Sequence, residues 1–192
     1  NSSQSHFICL TSDELEEGYY FFFTYIIEVR AARDQNLLQA VIINDYGQEA
    51  CNADQAEYIF GEMLENGKSS ITPPPKFDFE EMILIYEEAE SIIRKRVSNM
   101  KENIQIANNV FVDRRVQTIN SFYNRIIDSK KERLSDYKSK KDQNMQYLRM
   151  INGDIRNREF EMKNEIEKME QRRKIILSFK PLCFGCLRIN KT

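Results

Sequence analysis

Residues 78–111 read DFEEMILIYEEAESIIRKRVSNMKENIQIANNVF. Within them Met82, Tyr86, Ala89, Ile93, Val97, Met100, Ile104, Ala107 and Phe111 recur at spacings of three and four. That is the narrow apolar stripe of a helix packed against another helix. Asp78 and Glu81 stand at capping-box spacing, and Phe77 before the cap can pack on Met82 as a hydrophobic staple. A long helix is therefore predicted to start at Asp78.

The stripe continues through Thr118, Phe122 and Ile126. A second one follows through Leu134, Met145, Leu148, Ile151, Ile155, Met162, Ile166, Met169 and Ile176. Two such helices in one chain predict an antiparallel hairpin. Equal arms place its reversal at residues 129–142 and make each arm about 70 Å long at 1.5 Å per residue. Gly153 is a second candidate turn, but it makes the arms unequal. Asn103, Asn108 and Asn109 mark the weakest part of the first arm, because Asn lowers helix propensity.

Upstream, Pro73, Pro74 and Pro75 form a stiff extended connector and mark a domain boundary. Before it, Tyr19, Phe21, Phe23, Tyr25, Ile27 and Val29 share one face of a period-two strand, with Thr24 and Glu28 on the other. Residues 37–43 give a second strand in an antiparallel hairpin, closed by Asn44, Asp45 and Gly47, and residues 6–11 a short first one. Asp54 and Glu57 predict the start of a helix that ends near Gly67 and packs on one face of the sheet. Downstream, Pro181 ends the second arm after Phe179, and residues 182–189 form a last strand that antiparallel arms return to the base. The fold class is α+β. A β-rich base module (1–76) carries a long helical hairpin arm (77–180) and is closed by a returning C-terminal strand (181–192).

The composition, 41% hydrophobic and 30% charged over 192 residues, fits one small domain with an extension. Residues 1–77 hold 4 Lys and Arg against 12 Asp and Glu, and the remainder 24 against 18, so an acidic base carries a basic arm. The longest apolar run, residues 19–27, falls far short of the roughly 20 residues a membrane-spanning helix needs. Four scattered cysteines do not resemble a secreted disulfide framework and point to a reducing cytoplasm. A start at Asn1 without a signal pattern reads as a piece of a longer protein.

No phosphate-binding Gly-rich loop, HExxH, GxSxG or EF-hand pattern occurs, and His6 is the one histidine. Catalysis and a cofactor are therefore not expected in this piece. Cys183 and Cys186 form a C-x-x-C that, with Cys9 and Cys51, has the ligand types of a zinc site. On a strand, however, residues three apart point to opposite faces, which favours buried structural cysteines and no metal. Lys130, Lys131, Arg133, Lys138, Lys140 and Lys141 cluster at the expected tip and are the candidate nucleic-acid-binding residues. Their spread over all sides of the helix favours an ordinary solvated surface. Arg172, Arg173 and Lys174 are explained by complementing a helix C-terminus.

Certain features occur together in this order: the strand at 19–30, a second strand, long charged helices carrying Arg149, Met150 and Gly153, and the terminal Phe184, Gly185, Cys186, Leu187, Arg188 and Ile189. In this the chain resembles the C-terminal region of bacterial Swi/Snf-type helicase-like ATPases, the group that includes the RNA-polymerase-recycling ATPase. The resemblance implies a piece that follows two ATPase lobes in a DNA-translocating protein, with nucleotide-binding and catalytic residues elsewhere. Gly185 and Leu187 look like the family's closing apolar strand. The implied partners are DNA or a protein of the transcription or DNA-processing machinery, together with the ATPase lobes of the same parent chain; the short apolar runs leave no membrane partner expected. The alternative is a structural coiled-coil interaction module that self-associates through the face from Phe111 to Ile126.

Overall fold

The computed structural model describes residues 6–69, 76, 78–139 and 144–191. The chain divides into two compact units. One comprises Asn1–Val29, Asp34–Glu102 and Ile176–Thr192, the other Arg30–Arg33 and Asn103–Ile175. Among the described residues no helix is long and apolar enough to cross a membrane.

The first unit is built on a five-stranded sheet of β1 (His6–Thr11), β2 (Gly18–Arg30), β3 (Gln35–Asn44), β4 (Lys68–Ser69) and β5 (Ile176–Asn190), in the order β3-β2-β5-β1-β4. β2 and β3 form the expected antiparallel hairpin, with Phe21 opposite Ile43 and Phe23 opposite Val41. Asn44 ends it with an Asx turn, its Oδ1 accepting the N–H of Tyr46 and of Gln48. Gly47 supplies the left-handed residue, at φ 77°. The returning strand takes an interior place between β2 and β1, and its last residues pair in parallel with β1, Leu187 opposite Ile8 and Ile189 opposite Leu10. Both ends of the sequence thus complete one sheet.

Strand β5 begins well before the predicted 182–189 and contains Pro181, so the proline does not end a helix. The run Ile175-Ile176-Leu177-Ser178-Phe179 is β-branched and aromatic, which favours strand over helix. Strand β1 pairs only from Gly185 onward, so the proline lies outside that ladder. Thr24, fully buried, supports the backbone nearby: its hydroxyl accepts the Cys183 N–H at 3.2 Å and donates to the Cys183 carbonyl at 3.3 Å.

Both faces of β2 are buried. Tyr20 and Phe22 join Leu10, Ala40, Ile42, Leu187 and Ile189 in a core with Ala56, Ile59 and Met63 of α1 (Ala53–Asn66). The cap of α1 is Asn52, whose side chain accepts the Gln55 N–H at 3.0 Å; the expected Asp54 lies inside the first turn. Glu57 instead accepts from Gln39 on β3. Gly67 ends the helix, as expected, with its N–H on the Met63 carbonyl.

The opposite face holds Phe21, Phe23, Tyr25 and Val41, and the first turns of α2 (Phe79–Lys138) cover it. The ring of Tyr86 meets Phe23 edge-on at 6.1 Å, and Ile85, Ala89, Ile92 and Ile93 are buried. Arg96 reaches edge strand β3, donating to the Ala40 carbonyl at 2.7 Å and to Glu49 at 2.5 Å. Asp78 caps α2 as predicted: its carboxylate accepts the Phe79 N–H at 2.7 Å, and Glu81 accepts the Asp78 N–H at 3.3 Å. Phe77 and the three prolines lie outside the described residues.

The second unit is a helical hairpin of α2 from Asn103 onward and α3 (Met145–Gln171). The contacts Tyr137–Tyr147, Lys130–Asp154, Tyr123–Glu165 and Asn108–Arg172 run in opposite senses along the two helices, so the pair is antiparallel. α2 stays helical through Lys138, so most of the expected reversal at 129–142 is helix, and 140–143 lie outside the described residues; Asn144 caps α3 by accepting the N–H of Gln146 and Tyr147. Gly153 is helical. The expected equal arms do not occur, since α2 has 60 residues and α3 has 27. The stretch of α2 up to Glu102 packs on the sheet, so it has no helical partner to match.

Candidate nucleic-acid interface

The seam of the hairpin sets which side of α2 remains available. Ile119, Tyr123, Ile127 and Leu134 are buried against Leu148, Ile151 and Ile155. The predicted stripe through Thr118, Phe122 and Ile126 is therefore one residue out of frame. Phe122 is 59% exposed, and its ring stands edge-on to the buried Tyr123 at 5.3 Å.

Beside the seam, α2 carries arginines in two adjoining depressions, with Asp128 and Glu132 exposed on the same helix. Arg125, Phe122, Ile126, Ser129, Lys130 and Arg133 line one shallow depression on α2, and Arg114, Thr118 and Ser121 extend it in the N-terminal direction of the helix through the shared Phe122 and Arg125. Among the described residues no carboxylate lines either part. Arg114, Arg125 and Arg133 are exposed, and none is in an ion pair with a described residue. From Arg114 to Arg133 the row runs about 28 Å at 1.5 Å per residue. An exposed aromatic ring flanked by unpaired guanidinium groups can contact phosphates and bases together.

The predicted lysine cluster is only partly part of this face. Lys130 pairs with Asp154 on α3, and Lys131 lies 3.4 Å from Glu159. The hydrogen bond from Lys130, aided by its charge and that of Arg158, holds the Asp154 carboxyl below its ordinary value against the effect of burial. Arg133 joins the depression and Lys138 is exposed, while Lys140 and Lys141 lie outside the described residues. Arg114 and Arg125 were not foreseen. Their signal in the sequence was the pair of unneutralised arginines around Phe122, hidden by assigning Phe122 to the seam.

Arg173 carries more than charge complementarity to a helix end: its guanidinium pairs with Asp113 at 2.6 Å and with Glu170. This ties α3 to α2 and lowers the Glu170 carboxyl, the hydrogen bond from Arg173 being the main cause.

The four cysteines do not assemble. Cys183 and Cys186 lie three apart on β5 and so point to opposite faces. Cys183 is exposed and Cys186 buried. Burial pushes the Cys186 thiol up to about 11, with Cys9 adding to the effect. Burial likewise raises Cys51 to about 11 against the opposing charge of Arg96. Both are therefore thiols, weak as nucleophiles and as ligands at neutral pH. Among the described residues no three His, Cys, Asp or Glu gather as metal ligands. No family model and no curated protein matches this chain.

Proposed function

We propose that this chain is the non-catalytic C-terminal accessory region of a cytoplasmic, helicase-like, DNA-dependent ATPase, and that its helical hairpin is a docking arm for DNA. The observation that carries the docking role is the pair of depressions on α2, lined by no carboxylate among the described residues, in which Arg114, Arg125 and Arg133 flank the exposed Phe122. Phosphate contacts by such a row are independent of sequence and strengthen as salt falls. Attachment to ATPase lobes rests on the family resemblance.

Salt titration of the chain against labelled duplex DNA, read by fluorescence anisotropy, tests the arm. Three arginines on three phosphates predict a slope of log K against log salt of about −2.7. Changing Arg114, Arg125 and Arg133 together to Ala is expected to abolish most of that slope, whereas Lys130→Ala with Lys131→Ala leaves most of it. Absence of salt-sensitive binding by the unaltered chain removes the nucleic-acid role.

The exposed Phe122 with Ile126 also fits the second reading, a coiled-coil module that self-associates through this face. Sedimentation distinguishes the two, because a monomer at all concentrations excludes self-association.

A further inference from the structure

Within the first unit, α2 carries two apolar stripes. Ile85, Ala89, Ile92 and Ile93 are buried. Phe79, Met82, Ile83 and Tyr86 fall on a neighbouring stripe at spacings of three and four, which a single packed face does not require. With Phe23 and Phe184 from the sheet they line a groove of about 350 Å³. Phe79 is 76% exposed and Phe184 60%, and Ile83 and Tyr86 are also open to solvent. The groove has ordered walls: Phe23 stacks on Phe184 at 6.3 Å and meets Tyr86 edge-on. An apolar concavity left open beside a well-filled core is the form that docking sites take.

Its charge names the occupant. Glu87 and Glu90 line the groove, and Glu80 lies exposed one residue after Phe79. Glu90 is engaged by Arg94 at 2.8 Å. Glu80 and Glu87 have no ion pair with a described residue. Among the described residues no cationic side chain lines the groove. We infer that this groove binds an amphipathic helical segment of a partner protein, with apolar anchors seated among Phe79, Ile83, Tyr86 and Phe184 and flanking Lys or Arg facing Glu80 and Glu87. Three turns of α2 from Phe79 to Glu90 offer such a helix anchors at matching i, i+3, i+4 and i+7 spacing. The carboxylates exclude nucleic acid from this surface, so it is distinct from the arginine-lined depressions of the hairpin and does not rest on the docking role proposed for them.

The test uses the whole chain and a fluorescein-labelled amphipathic peptide of Lys, Leu and Phe, followed by anisotropy. Saturable binding is expected, weakened about tenfold by Phe79→Ala with Ile83→Ser, as for removal of interface anchors. Glu87→Lys is expected to weaken it further at low salt than at high salt. All three positions are exposed, so the fold is retained, and circular dichroism checks that it is. DNA binding by these variants is expected to be unchanged. Equal affinity of the altered and unaltered chains overturns the inference, as does equal binding of a peptide with Glu in place of Lys. A dimer dispersed by Phe79→Ala also overturns it, since the groove is then filled by a second copy.

Discussion

Asn108 on α2 accepts the backbone N–H of Ala32 at 3.0 Å through its Oδ1, joining the turn between β2 and β3 to the helical hairpin. Its Nδ2 donates to the carbonyls of Arg172 and Arg173, each at 2.9 Å, at the C-terminal end of α3. Those carbonyls belong to the group that a helix end leaves without intrahelical donors. Asn108 is 6% exposed, and an amide alone among small side chains offers both the acceptor and the donors this position uses. Asn108→Ala is expected to destabilise the chain by about 2–3 kcal/mol in urea unfolding, because it leaves the Ala32 N–H and the Arg172 carbonyl without a partner, while the Arg173 carbonyl keeps the hydrogen bond from Gln105 at 2.8 Å. Asn108→Asp is expected to do no better, since a carboxylate faces the two carbonyls.

The frame of the hairpin seam gives a second expectation. Ile127→Ala removes a side chain 3% exposed between the helices and is expected to cost about 2–5 kcal/mol. Phe122→Ala, outside the seam, is expected to change stability by no more than about 0.5 kcal/mol despite the larger ring. Urea midpoints with unchanged m-values decide between the frames. A reversed order of costs restores the stripe through Phe122 and Ile126.

These two cases mark where the sequence was legible and where it was not. The β2–β3 hairpin, the Asn44 to Gly47 turn and the Asp78 cap could be read because each rests on neighbours in the chain, whereas the burial of both faces of β2 depends on α1 and α2. Met82 to Ile126 looked like one seam. Its actual partners change from the sheet, which buries Ile85 to Ile93, to α3, which buries Ile119 to Leu134. Apolar spacing gives a period and not the identity of the partner. Ile176 sat seven residues after Met169 and so matched the helical stripe, while the β-branched run it belongs to carried the correct signal. Asn108 was read by its low helix propensity, because its hydrogen bonds come from residues far along the chain. The same limit hid the interface: Arg114 and Arg125 gain meaning only once Phe122 is known to face outward.

Tyr25 is fully buried, with its ring edge-on to Phe179 at 6.0 Å, yet its hydroxyl has no hydrogen-bond partner among the described residues. Burial, with Tyr86 and Glu90 nearby, holds its pKa well above the usual tyrosine value, so it stays neutral and still lacks an acceptor. Tyr25→Phe keeps the ring and removes the unpaired oxygen. The variant is expected to be more stable by about 1 kcal/mol. A loss of stability in thermal or urea melts shows that the hydroxyl has a partner in solution.

Acid pH should act on the hairpin through two carboxylates. Asp154 and Glu170 are held below their ordinary values of 3.8 and 4.5 by hydrogen bonds from Lys130 and Arg173. A depressed folded value means the folded state releases these protons more readily than the unfolded chain. The stabilisation is thus complete above the ordinary values and is lost as pH falls through and below them. Asp154→Asn with Glu170→Gln is expected to lower the melting temperature at neutral pH and to flatten its decline on acidification. Once the pH falls below the depressed folded values, where the unaltered carboxylates are themselves protonated, the two proteins should converge. Parallel curves at all pH values exclude a contribution from the ion pairs, and solvent screening of these exposed groups keeps the separation small.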